Sequence, residues 1–177
     1  IAKLEEVAWI QPSLELEPLN DNARASTGVD TVQAAPYNLN GSGIRVMVFD
    51  VGTVNHLDLP AARVVIGDAS GLADHATHVA GTVAGDGTQS IIAGGTARQW
   101  RGVAREATIL SYGVQGVCTG TPTGCYYNQT GDVQADINSA IGLGAAFGTS
   151  STGSNINPNG DNCAFLGDYE LTSQLVD

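Results

Sequence analysis

The chain has 177 residues, 42% of them hydrophobic, enough for one sizeable core. Its formal charge of -11, with 7 Lys and Arg against 18 Asp and Glu, provides no basic surface for tracking phosphates and argues against DNA or RNA as partners. No window reaches the ~18 uninterrupted apolar residues of a membrane span, and the opening "IAKLEEVAWI" lacks the basic flank and cleavage site of a signal peptide.

Residues 1–19 read as a segment apart: "LEEVAWIQP" alternates as one strand, and Pro12 and Pro18 interrupt it. In "NDNARASTGVDTV", Asn20 or Asp21 is placed to cap a short helix that directs Ala23, Val29 and Val32 towards a core. A strand-then-helix pattern follows. "GIRVMVFDV" (43–51) is a nearly continuous apolar run bounded by glycine, the signature of a strand buried on both faces of a parallel sheet. "RVVIGDAS" (63–70), "ATILSYGVQ" (107–115) and "GAAFGTSST" (144–152) read as three more strands. Residues 75–84 read as a helix whose small residues Ala76, Ala80, Gly81 and Ala84 allow close approach to a sheet. "GDVQADINSAIG" (131–142) reads as another, with Val133, Ile137 and Ile141 at i, i+4 and i+8 on one stripe. This alternation predicts an α/β fold, a mostly parallel sheet with helices on both faces, whose ligands gather at the carboxyl ends of the strands. The chain opens at Ile1 and closes in the unfinished helical pattern "YELTSQLVD", so trimming at both ends is expected.

Three cysteines bear on compartment. Cys118 and Cys125 bracket the turn-rich "CTGTPTGC", which a small disulfide can close, leaving Cys163 over. An odd cysteine in an acidic chain fits a secreted protein, and three free thiols in a cytosolic one is the alternative. "NQT" at 128–130 is a glycosylation sequon of low specificity.

The chemistry-bearing residues concentrate in "VMVFDVG" and "DHATHVAGTVAG". Asp50 ends an apolar strand, where a carboxylate needs donors or a cationic partner. Taken alone it is an aspartate hydrogen-bonded to the following turn; taken with an imidazole it fixes the tautomer of a histidine base. His75 and His78 stand three residues apart, on the same side of one helical turn. A zinc site would need His56 as third ligand, and the His-Glu-x-x-His spacing is absent.

"VMVFDVG", then "DHATHVAGTVAG" with His75 lying 25 residues beyond Asp50, then "RGVAREATIL", together closely resemble the subtilisin-like serine protease family. The family pattern is an aspartate ending a buried strand, His-Gly-Thr-His-Val-Ala-Gly-Thr, and Gly-Val-Ala-x-x-Ala before the next strand. It is matched here by Asp50, by His75 to Thr82 and by Gly102 to Ala107. The resemblance implies that Asp50 and His75 are catalytic and that Ser151, Thr152 and Gly153 pair with the substrate backbone. It also implies that residues 20–177 are the amino-terminal portion of the catalytic domain, preceded by a propeptide-like or linking arm at 1–19. Relatives commonly bind structural calcium, and Asp58 in "HLDL" stands where some supply a ligand, whereas catalysis needs no cofactor. Two positions depart from the pattern. Val51 stands where the family has Ser or Thr, so backbone amides are left to hold the carboxylate, and Ala76 replaces a glycine.

The family's nucleophile lies in Gly-Thr-Ser-x-Ala-x-Pro. "GTSSTGSNINP" (148–158) starts in the same way but has no Ala or Pro at the required places, so Ser150 is not taken as the nucleophile. Asn155, Asn157, Asn159 and Asn162 read as turn residues rather than an oxyanion hole. The expectation is a secreted serine endopeptidase whose serine and oxyanion asparagine lie in a carboxy-terminal fragment that acts as partner, with polypeptide as substrate. The alternative is a non-catalytic peptide-binding protein on the same fold.

Overall fold

The structure, a computed structural model, describes residues 22–114 and 130–152. The four expected strands form as β1 (Arg45–Asp50), β2 (Val64–Ile66), β3 (Thr108–Gly113) and β4 (Phe147–Ser150), all parallel in the order β2-β3-β1-β4. The two central strands are the apolar ones, and Val46, Val48, Ile109 and Tyr112 are fully inaccessible. The edge strands β2 and β4 are largely exposed.

Side chains alternate across a strand, so each central strand supplies two cores. Val46, Val48 and Ile109 pack on α3 (Asp74–Ala84) through Ala76, Ala80 and Ala84, while Met47, Phe49, Leu110 and Tyr112 pack on α4 (Thr130–Gly142) through Val133 and Ala140. The steps β2→β3 and β3→β4 run in one direction across the sheet, yet their helices lie on opposite faces. The two crossovers are therefore of opposite hand, and one breaks the right-handed rule for parallel units.

The three inward alanines of α3 lie at i, i+4 and i+8 and bring its axis close to the sheet, as the sequence predicts. The "RGVA" segment closes the carboxyl end of α3. Amides of Gly102, Val103 and Ala104 donate to the carbonyls of Gly85, Thr82 and Val83, and Arg63 Nη1 donates to Ala84 O at 3.1 Å. A Cβ on Gly102 would lie 2.7 Å from Gly81 O, so only glycine permits this crossing.

Two expectations are corrected. The amino-terminal segment forms two short helices, α1 (Ala23–Ser26) and α2 (Val29–Gln33), and neither buries a residue; Val32 is exposed. Gly28, at φ 76°, breaks the helix before an apolar stripe can develop, and the N-cap Asn22 makes no side-chain cap. Polar contacts anchor the segment: Asp30 Oδ1 accepts from Arg24 Nε (3.0 Å) and Arg101 Nη2 (2.7 Å), and Gln33 Nε2 donates to Val103 O (2.8 Å). On α4, Val133 is buried and Ile137 partly so, but Ile141 is 65% exposed and Ala140 takes the inward place. Each i+4 step drifts roughly 40° around a helix, so a third member falls off the stripe.

Candidate active site

Asp50 continues the side-chain parity of Val46 and Val48, which directs it to the face covered by α3. His75 is the second residue of that helix, and its Nδ1 lies 2.7 Å from Asp50 Oδ1. An ionised carboxylate only accepts, so Nδ1 carries the proton and Nε2 is the basic lone pair. Asp50 is inaccessible to solvent, whereas the His75 side chain is 52% exposed. The arrangement is an orienting carboxylate sealed beneath an imidazole that reaches solvent.

One backbone amide holds the carboxylate: Val51 N–H donates to Asp50 Oδ1 at 2.8 Å. Asp50 Oδ2 is buried with no hydrogen-bond partner among the described residues. Ala76 is fully buried in the α3 core, where its methyl group packs against the sheet.

His78 does not share His75's surroundings. It lines a separate cleft with Arg24, His56, Asp74 and Trp100, because three residues leave the two side chains roughly 60° apart around the helix. His56 Nδ1 accepts from Asp58 N at 3.1 Å. Among the described residues, no three His, Cys, Asp or Glu side chains converge to hold a metal. Asp58 Oδ1 accepts from Thr88 Oγ1 (3.0 Å) and Gln89 N (2.7 Å), so this carboxylate secures the 86–90 loop.

Ser150 ends β4 in register with Phe49, and its Oγ lies 2.8 Å from Thr152 Oγ1. Among the described residues His75 hydrogen-bonds Asp50 alone, and no hydroxyl reaches its ring. Ser151 and Thr152 are exposed just beyond β4, whose outer edge is unpaired among the described residues. Gly153, the three cysteines, Asn128 and the asparagine-rich loop lie outside the described residues.

Sequence reading missed two aspartates. Asp68 accepts from Ser70 N (2.8 Å) and Gly113 N (2.7 Å). Asp136, on the sheet-facing side of α4, is only 6% exposed, and its Oδ2 has no partner among the described residues. Burial, then Asp132, then Asp68 push its carboxyl up to about 7. The available signal was Asp136 standing between Val133 and Ile137 on the apolar stripe.

Parallel strands, a buried aspartate at the end of the central strand and a histidine opening the covering helix define the subtilisin-like class of α/β proteins. Residues 41–163 match the subtilase family, the S8 peptidases, and the chain belongs to that family. Its fold is similar to that of MycP1 from Mycobacterium smegmatis, with TM-score 0.51 and 18% identity over 71% of this chain and 34% of that one. It is similar also to MycP1 from the ESX-1 type VII secretion system, with TM-score 0.51 and 19% identity over 72% of this chain and 35% of that one. The chain thus spans about a third of the length of these structures. No curated protein matches it. Among the described residues no helix is long and apolar enough to cross a membrane.

Proposed function

We propose that this chain supplies the base and its orienter to a subtilisin-like serine endopeptidase. The observation that carries the reading is the 2.7 Å contact between buried Asp50 and half-exposed His75. Asp50 holds the tautomer with Nε2 free and stabilises the imidazolium that forms when His75 takes the proton of a serine hydroxyl; His75 then returns that proton to the leaving amine. The serine and an oxyanion-stabilising asparagine come from a carboxy-terminal part of the same protease. The outer edge of β4, unpaired among the described residues, supports a place for further strands of that part. The backbone of Ser151, Thr152 and Gly153 pairs with an extended polypeptide substrate as an added strand. An extracellular location belongs to this reading.

The test is peptide hydrolysis and, in parallel, peptide binding by the full-length protein and its His75→Ala variant. Turnover that falls by on the order of 10⁶ in the variant supports the reading. Binding without turnover in the unaltered protein replaces it with a non-catalytic peptide-binding protein, a reading favoured by Asp50 Oδ2, which has no hydrogen-bond partner among the described residues.

A further inference from the structure

The contact between Asp50 and His75 joins two segments that a third residue ties together. β2 leaves the sheet after Ile66, and its last ladder bond runs from Gly67 N to Ser111 O at 2.8 Å. Beyond that point the side chain of Asp68 takes over from the backbone. Its Oδ2 accepts from Gly113 N at 2.7 Å and its Oδ1 from Ser70 N at 2.8 Å, while Ser70 Oγ donates to Gly113 O at 2.8 Å. Gly113 is the residue in register with Asp50. The clamp therefore grips both polar atoms of the backbone unit beside the carboxylate.

From Ser70 the restraint passes to the turn after Asp50 and then to α3. Thr53 Oγ1 donates to Ser70 O (3.1 Å), Thr53 N donates to Gly71 O (2.8 Å), and Ala73 N donates to Thr53 O (3.0 Å). Ala73 is the N-cap of α3, two residues before His75. The packing leaves no slack, since a Cβ on Gly113 would lie 2.5 Å from Gly52 Cα. The backbone on both sides of the Asp50–His75 contact thus belongs to one hydrogen-bonded ring, and Asp68 closes it.

We propose that Asp68 is a positioning residue: by bridging the amides of Ser70 and Gly113 it sets where α3 begins and so places the His75 imidazole on Asp50. The role needs a carboxylate. Two accepting oxygens receive two N–H groups in charge-assisted bonds, whereas an asparagine has one accepting oxygen and turns an NH₂ donor towards the other amide. In its catalytic consequence the inference rests on reading the pair as base and orienter; in its structural consequence it does not.

The experiment compares full-length protein with its Asp68→Asn and Ser70→Ala variants by thermal melting, by the far-downfield proton resonance of His75 Nδ1–H, and by kcat and KM on a peptide. Asp68→Asn is expected to shift or broaden that resonance and to lower kcat by between ~10- and ~100-fold, the scale of an ångström of misplacement, with KM within about twofold. Ser70→Ala loses one bond of the clamp and moves the resonance in the same direction by less. A cooperatively folded Asp68→Asn protein with unaltered resonance and kcat overturns the proposal. Should that variant not fold, an unshifted resonance and unaltered kcat in Ser70→Ala overturn it. If the unaltered protein shows no turnover, the protease reading fails, and the resonance alone decides the role of Asp68.

Discussion

Replacing Asp136 with asparagine should stabilise the protein at neutral pH and do almost nothing in acid. The Asp136 side chain is buried against the sheet with Oδ2 unpartnered among the described residues, and its carboxyl sits at about 7 because of burial, then Asp132, then Asp68. In an unfolded chain the same group titrates near 3.8. Between those values the folded state keeps a proton that the unfolded state has released, so stability falls as pH rises from about 4 to about 7 and then levels off. About three pH units at 1.36 kcal/mol each set a ceiling of ~4 kcal/mol. Asp132 and Asp68 are half-exposed, and solvent screening reduces the effect to about 2 kcal/mol. Asparagine keeps the shape and has no charge to lose. Urea unfolding at pH 8 is expected to show Asp136→Asn more stable by about 2 kcal/mol, and unfolding at pH 4 to show a difference below ~0.5 kcal/mol. Equal stability at pH 8, or the same gain at both pH values, would refute the reasoning.

Three further outcomes are expected. Asp50→Asn in the full-length protein should lower kcat about 10⁴-fold with the fold intact, because the amide no longer selects the Nδ1–H tautomer; peptide hydrolysis alongside circular dichroism checks it. Ala80→Leu should cost about 1–3 kcal/mol in urea unfolding, since Ala80 is fully buried where α3 meets β1 and β3. Gly67→Ala should cost a similar amount, about 1–3 kcal/mol: its Cβ would lie 2.1 Å from Tyr112 Cε1 and would push away the ring whose hydroxyl lies 2.8 Å from Ser139 Oγ. A Tyr112→Leu background should relieve most of that cost, and a double-mutant cycle measures it.

The sequence by itself determined the strands and the two long helices, because each rests on local information: a nearly continuous apolar run beside glycine marks the buried strand β1, and alanines at every fourth position suit close packing of α3. The pairing of Asp50 with His75 came instead from the resemblance of "VMVFDVG" and "DHATHVAGTVAG" to the subtilisin-like proteases. Sequence reading misjudged α1 and α2, where a single left-handed glycine ended an apparent stripe, and Ile141, where helical drift carried the third member of the stripe outward. Tertiary structure alone decided the opposite hands of the two crossovers and the work of Asp68. Neither has a sequence signature, since each depends on which segments meet across the sheet. Asp68 and Gly113 are 45 residues apart in the chain, and only the ordering of β2 beside β3 makes the carboxylate of one the acceptor for the amide of the other.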